Sequence, residues 1–269
     1  MIQSYNLFTI LEIYLYIYIY INMPKETQKK INLNLWTASR DGNLAEVVRL
    51  LELSDINVNW KNPDAYGESP LMVASVNGRL PIVKALLDAG ANVNQVEGGG
   101  RTAIYWAAFK GNIDIINLLL ESGADPNIAE QDGYTPLIIA KGKGQYPAMT
   151  LLLEKGADVN KADNKGRTLL HWASNTGNVK WVNLFLEKGA DINQRDNKGN
   201  TAISVAKNED IRKLLEDYGT VATTGTLEKP SKESQNEFLG DSAKGLKRKK
   251  SNKGRKTKKR RMKTVKKRR

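Results

Sequence analysis

His171 is the only histidine of the chain, and there is no cysteine. General acid–base catalysis needs a second positioned group, and the repeat pattern of this sequence offers His171 no such group at a fixed spacing. Disulfides, thiol chemistry and metal sites built from Cys or several His are excluded by the same composition. We therefore predict that the chain is not an enzyme, holds no metal and uses no cofactor; turnover that is lost on changing His171 would contradict this.

Two further patterns resemble chemical sites. The segment Gly98-Gly99-Gly100-Arg101-Thr102 is glycine-rich like a phosphate-binding loop, but it lacks the Gly-Lys-Ser/Thr ending and follows no strand. It is predicted to be a turn. Asp125, Asp158 and Asp191 recur at equal spacing, which indicates a turn that needs an aspartate rather than carboxylates gathered around a metal.

The strongest charge feature is a polybasic tail, residues 244–269. It contains 17 of the 42 Lys and Arg residues and no Asp or Glu, which leaves 25 basic residues against 29 acidic ones elsewhere. Charges of one sign at this density are predicted to keep the tail disordered. Its two main clusters are Lys247, Arg248, Lys249 and Lys250, and then Lys258, Lys259, Arg260 and Arg261.

Three interpretations of this tail stay open. Two basic clusters a short distance apart are typical of a nuclear localisation signal, which would make an import receptor a partner. The same charges could hold nucleic acid through its phosphates, with affinity that falls as salt rises; the tail has no aromatic residue for base stacking. The third interpretation is a solubilising or membrane-surface charge run. Residues 220–243, which precede the tail, are predicted to be a flexible linker.

The first residues are unusual, because residues 13–21 alternate strictly between Ile or Leu and Tyr. The apolar run 7–21 is shorter than the roughly 20 residues of a membrane-spanning helix, and it lacks the flanks of a secretory signal. A TATATA tract read in frame produces such alternation. We therefore expect that translation starts at Met23 and that residues 1–22 correspond to upstream DNA that is not translated in the natural protein. A membrane anchor is the less favoured alternative. Residues 23–32 are then a polar lead-in.

The body of the chain repeats with a period of 33 residues. Glycines recur at 67, 100, 133, 166 and 199, each followed two positions later by Ser or Thr and seven positions later by Ala. A second glycine series, at 90, 123, 156 and 189, opens the phrase Gly-Ala-Asp/Asn-x-Asn. Such regularity indicates stacked copies of one small unit.

Each unit is predicted to be a pair of helices and a turn. Ser69 and Thr135 precede a proline, which places a hydroxyl N-cap before a proline at the first helical position. The second helix has an apolar stripe such as Ile82-Val83-Leu86-Leu87 at helical spacing. The first helices should end near Gly78, Gly111, Gly144 and Gly177, and the second helices near the second glycine series.

These units resemble the ankyrin repeat. The resemblance depends on Thr135-Pro136-Leu137-Ile138-Ile139-Ala140, Thr168-Leu169-Leu170-His171-Trp172-Ala173 and Gly156-Ala157-Asp158-Val159-Asn160. It covers residues 33–219 and is highly specific. It implies an all-α solenoid of about six helix-turn-helix repeats with hairpin-like turns, a monomer, a protein partner and no small-molecule substrate. It also implies that His171 makes structural hydrogen bonds around the turns.

The end repeats and the fourth repeat depart from the pattern. Residues 54–65 hold an insertion in the first repeat, and the last repeat is shortened after Ala206, as capping repeats of a solenoid often are. Trp36 and Trp181 are predicted to lie in the core or the caps. The fourth repeat has Gly142, Gly144 and Pro147, so we expect it to be the least stable internal repeat.

The resemblance implies that the turn tips and the exposed face of the first helices bind the partner. Aromatic and Arg side chains dominate interface energetics, which draws attention to a solvent-facing Phe109 near two tyrosines. Trp106 and Trp172 could line the groove, although repeat packing explains them equally well. Lys165 and Lys198 also lie at tips. The partner-binding candidates are Tyr66, Glu68, Val76, Asn77, Arg101, Trp106, Phe109, Lys110, Gln131, Asp132, Tyr134, Lys143, Arg167, Trp172 and Asn175.

The sequence thus predicts a protein-binding adaptor with a basic tail for nuclear targeting. The alternative is a nucleic-acid-associated protein whose tail binds phosphates while the repeats recruit a partner. We expect the protein in the nucleus or the cytoplasm, of a host cell if the gene belongs to a virus or an intracellular parasite.

Overall fold

The computed structural model describes residues 25–224, with side chains for residues 27–219. This part of the chain has eleven α-helices, one short 3₁₀-helix at Pro63–Ala65 and no β-strand. The helices are α1 Lys25–Asp41, α2 Leu44–Leu51, α3 Pro70–Val76, α4 Leu80–Asp88, α5 Ala103–Lys110, α6 Ile113–Glu121, α7 Pro136–Gly142, α8 Tyr146–Glu154, α9 Leu169–Thr176, α10 Val179–Glu187 and α11 Glu209–Thr224.

The helix starts follow from hydroxyl capping. Ser69, Thr102, Thr135 and Thr168 each accept a hydrogen bond from the backbone N–H three residues on, at the starts of α3, α5, α7 and α9. This satisfies one of the free N–H groups at each helix start. The first helices end at or just before the predicted glycines, and α4, α6, α8 and α10 each end two residues before a glycine with positive φ. The predicted helix boundaries are confirmed.

The helices form two layers. The first helices α1, α3, α5 and α7 pack side by side, and the second helices α2, α4, α6 and α8 pack side by side behind them. Each pair also packs on itself, which buries the apolar stripes; Ile82, Ile116, Leu152 and Phe185 are at most 2% exposed. The predicted all-α repeat solenoid is therefore confirmed.

The layer of first helices is less tightly packed between α7 and α9. The backbones of α1, α3, α5 and α7 approach their neighbours closely, whereas those of α7 and α9 do not. Lys141 on α7 occupies the position that Ser75, Ala108 and Ser174 hold in other repeats, and these three small residues are fully buried. The lysine side chain and Trp172 of α9 lie in this space, with Nζ 5.0 Å from the ring centroid. Lys141 thus brings a long side chain to a place where the other repeats have a small one, between two helices that stand farther apart.

The two ends of the stack differ from its middle. The first helix starts at Lys25, inside the predicted lead-in, and the last extends to Thr224, inside the predicted linker. Residues 202–205 form a turn where the other repeats have a first helix. The described residues up to Asp217 belong to one compact unit; a second unit begins at Tyr218, and the structure describes its residues 218–224 as the end of α11.

The structure tests the predictions for two tryptophans and for Pro147. Trp36 and Trp181 are buried, as predicted. In the fourth repeat, Pro147 lies in the first turn of α8, where proline is tolerated, so it does not interrupt that helix. The lower stability of this repeat stays a prediction. No helix in residues 25–224 is long and apolar enough to cross a membrane, and the apolar run 7–21 lies outside the described residues.

Candidate functional site

The turn tips are joined by a ladder of backbone hydrogen bonds. Gly98 N–H donates to Tyr66 O at 2.7 Å, Gln131 N–H to Gly99 O at 3.0 Å, and Asn164 N–H to Asp132 O at 3.0 Å. The amide of Asn197 donates in the same way to the carbonyl of Lys165 at 2.9 Å. Because each tip is bonded to the next, side chains on the tips project from a fixed frame.

In the four tips after the first, a carboxylate accepts hydrogen bonds from the backbone N–H groups of the same tip. Asp163 Oδ1 accepts the backbone N–H groups of Lys165 and Arg167 at 2.9 and 3.0 Å, and Asp196 Oδ1 accepts those of Lys198 and Asn200 at 2.9 Å. Glu97 and Glu130 hold the two preceding tips in the same way. Hydrogen bonds from Asn200, its side chain first, lower the pKa of Asp196, so this carboxylate stays charged.

The predicted partner-binding residues all retain some exposure. The exposed ones are Tyr66, Asn77, Lys110, Gln131, Asp132, Lys143 and Asn175, and the half-buried ones are Glu68, Val76, Arg101, Trp106, Phe109, Tyr134, Arg167 and Trp172. One expectation needs correction, because Phe109 is not a solvent-facing ring. Its ring meets Trp106 edge-on at 5.7 Å and lies beneath two lysines. Tyr66, at 86% exposure, is the large hydrophobic residue that projects freely.

Cations lie over the aromatic rings of the first helices. Arg101 is 5.2 Å from the Trp106 ring centroid, and Arg167 is 4.0 Å from that of Trp172. Lys143, the residue after α7, is 4.6 Å from the ring of Phe109 on α5. These contacts connect a tip to its own helix and one repeat to the next. Tips and first helices therefore form one continuous surface, which we call the tip-and-helix face.

Two cationic side chains contact the ring of Trp172, one from α7 and one from the turn before α9. Arg167 lies over the ring and is held by Asp163, with Nη2 2.6 Å from Oδ2. Lys141 approaches from α7, and burial lowers the pKa of its ammonium group. The lysine was not predicted from the sequence, although the small residues at the matching positions of other repeats are a signal that could have identified it.

Replacing the charge of Lys141 should stabilise the protein. Since the folded pKa of Lys141 lies below its usual 10.5, the charged form is penalised at neutral pH and the penalty fades as pH rises towards 10.5. Lys141→Met keeps the stem and removes the charge. Urea unfolding at pH 7 should show a gain of at most about 1 kcal/mol, because solvent screens a half-exposed group. The gain should shrink by pH 10, whereas Lys155→Met, at an exposed position, should give little change at either pH.

His171 has the structural role that the family resemblance implies. The backbone N–H of Thr168 donates to His171 Nδ1 at 3.2 Å, and Nε2 lies 3.0 Å from the carbonyl oxygen of Asn200. A carbonyl can only accept, so the proton is on Nε2 and Nδ1 is the acceptor. The ring is 3% exposed and ties α9 to the following turn.

The other residues singled out in the sequence serve turns. Gly98 and Gly99 lie in a turn at a tip. Asp125, Asp158 and Asp191 each accept the backbone N–H two residues on at 2.8 Å. Within residues 25–224 no group of three or more His, Cys, Asp and Glu could hold a metal ion. Burial raises the pKa of Glu68, and Glu97 nearby adds to the effect. The basic clusters of the tail lie outside the described residues.

The comparisons with known proteins agree with this architecture. The family model for ankyrin repeats matches three times, over residues 35–130, 125–196 and 160–224. The chain is also 43% identical over 63 residues to ankyrin repeat domain-containing protein 29 of Danio rerio. That match covers 23% of this chain and 20% of the relative, so the chain spans only about a fifth of the relative's length.

Proposed function

The chain belongs to the ankyrin-repeat family, and on that premise we propose that it is an adaptor that binds a protein partner on its tip-and-helix face. Ankyrin repeats are generally protein–protein interaction modules, and the family is typically non-enzymatic. The observation that carries the proposal is the continuous run of cations and aromatic rings across neighbouring repeats. Tyr66, at 86% exposure, adds an aromatic side chain that is available for contact.

The rigidity of this face supports binding. The hydrogen-bond ladder and the carboxylates hold the tips before any partner arrives, so little ordering entropy has to be lost on association. The exposed positions of the second helices, in contrast, have acidic and basic residues dispersed among them, such as Lys84, Glu121 and Glu187. Such mixed surfaces are ordinary for soluble domains.

Site-specific photo-crosslinking tests the proposal. A benzophenone amino acid is placed at Tyr66, Lys110 or Asn175 on the tip-and-helix face, and at Lys84, Glu121 or Glu187 on the second helices as matched exposed controls. In cells that naturally contain the protein, the first three positions should form adducts with one common protein and the control positions should not. Equal adducts from both sets, or none from the tip-and-helix face, would contradict the proposal.

We propose that the tail directs the adaptor to the nucleus. The charge asymmetry of the sequence supports this, since 17 Lys and Arg residues fall within residues 244–269. The alternative is attachment to nucleic acid through the same charges. A tagged chain should lose nuclear signal when the two clusters are changed to Gln, at Lys247, Arg248, Lys249, Lys250, Lys258, Lys259, Arg260 and Arg261. Unchanged location, with salt-sensitive binding to nucleic acid lost in the same variant, would favour the alternative.

A further inference from the structure

A cavity of about 490 Å³ opens where the repeat series ends. In the repeats from the second to the fifth, a first helix follows each turn; after the turn at residues 196–200 there is only a short turn at residues 202–205. Among the residues that the structure describes, Trp172 and Asn175 therefore line the cavity without a following first helix over them, and Val205 also lines it. The volume falls within the range of about 300–1,000 Å³ that is typical of ligand sites.

The charge of this cavity is positive. Three cationic side chains, Lys165, Arg167 and Lys198, line it together with one carboxylate, that of Asp196. The charges of Asp196 and Arg167 are already engaged, the first by backbone amides and Asn200, the second by Asp163.

Lys165 and Lys198 are the remaining cations of the cavity. Each lies on a tip, and neither forms an ion pair with a residue that the structure describes. Both side chains belong to exposed residues, so the two ammonium groups are available to an anionic ligand.

We propose that this cavity binds an acidic peptide segment of the protein partner, with an apolar side chain against Trp172 and neighbouring carboxylates on Lys165 and Lys198. The proposal rests on the proposed function and specifies the chemistry of the partner. The indole ring of Trp172 supplies an apolar surface, and the guanidinium carbon of Arg167 lies 4.0 Å from the ring centroid. Two lysines from successive tips supply positive charges to the lining of the cavity.

A peptide fits the surface better than a small anion does, because the Arg–Trp arrangement recurs. Arg167 lies over the ring of Trp172, and Arg101 lies over the ring of Trp106 in the same way two repeats earlier. Lys110 and Lys143 lie near the ring of Phe109 between them. A small anion could contact only one of these places, whereas an extended acidic segment could contact the cavity and continue along the tip-and-helix face.

Fluorine NMR of the full chain labelled with 5-fluorotryptophan tests the proposal at the cavity itself. The chain has five tryptophans, and Trp172→Phe identifies the resonance of Trp172. The probe is an acetylated heptapeptide with one leucine flanked by glutamates, and its analogue with glutamines is the control ligand. Binding of the probe to the basic tail would leave the Trp172 resonance unchanged, so this readout separates the two locations.

The glutamate peptide, titrated to millimolar concentration, should shift the Trp172 resonance saturably and leave that of buried Trp36 in place. The double change Lys165→Gln and Lys198→Gln should weaken the apparent affinity about three- to tenfold, as expected for two solvent-accessible charge contacts. Lys161→Gln with Lys188→Gln removes the same net charge from exposed positions outside the cavity, and affinity should then stay close to that of the original chain.

Four results of the titrations would overturn the proposal. They are an equal shift with the glutamine peptide, no shift with either peptide, no effect of the cavity lysines, and tighter binding of a short single-stranded DNA through the same lysines. A changed Trp172 resonance after deletion of residues 225–243 would instead indicate an occupant from this chain and would also overturn it. If the peptides fail while crosslinks from the tip-and-helix face persist, the proposed function stands and only the acidic-peptide specificity is lost.

Discussion

Changing Gly133 to Ala should lower the free energy of unfolding by about 2–3 kcal/mol. Gly133 lies in a turn tip at φ +83°, where a left-handed conformation costs a residue with a Cβ roughly 1–2 kcal/mol. An added Cβ would also lie 2.7 Å from the backbone N of Asn164 in the next tip. To relieve this contact the tips must separate, which breaks the hydrogen bond from Asn164 N–H to Asp132 O, about 1 kcal/mol more.

Gly199→Ala is the matched control for this prediction. Gly199 has the same place in its tip and a φ of +81°, but an added Cβ would have no neighbour within 4 Å. It should therefore show the conformational cost without the loss of a tip contact. Urea unfolding of both variants, followed by circular dichroism, measures the difference. Equal losses would mean that contact between tips contributes nothing beyond the glycine conformation.

Phe185→Ala should cost about 3–5 kcal/mol, because Phe185 is the largest of the fully buried side chains that the structure describes. Phe185 is 0% exposed in α10, and its ring stacks on that of Trp181 with centroids 6.0 Å apart. Removing a fully buried aromatic ring loses its transfer free energy and leaves a cavity that the helices cannot fill completely. Thermal and urea unfolding should both show the loss.

The exposed Val179 of the same helix provides the comparison for Phe185→Ala. Its replacement by Ala should change the unfolding free energy by no more than about 0.5 kcal/mol. Because contacts in a solenoid are between neighbouring repeats, hydrogen exchange of Phe185→Ala should increase most in α9 and α10. Uniform loss of protection along the whole stack would show instead that the repeats unfold as one cooperative unit.

Much of this fold is readable from the sequence because its signals are local. A hydroxyl before the first helical position, an apolar stripe at spacings of three and four, and a glycine after the last turn act on residues that are adjacent along the chain. Repetition at a period of 33 residues then implies stacking, since one unit cannot bury its apolar face alone. The predicted caps at Ser69 and Thr135 are found in the structure.

The candidate surface was predictable only in part. The sequence placed the partner-binding candidates on tips and first helices, and the exposure of Tyr66 and Lys110 agrees with that placement. Phe109 was expected to face solvent and is half-covered by Trp106, Lys110 and Lys143. A family pattern identifies which positions face outward, but neighbouring side chains decide how much of a ring stays accessible.

The sequence by itself determined the repeat, its helices and the kind of surface that they present. Only the tertiary structure decided that Lys141 meets Trp172, that α7 and α9 stand apart, and that a basic cavity opens beside residues 201–206. The reason is physical. Helix signals are set by residues a few positions apart, whereas these contacts join side chains about one repeat apart, and their distances depend on how the packed repeats accommodate side-chain volume.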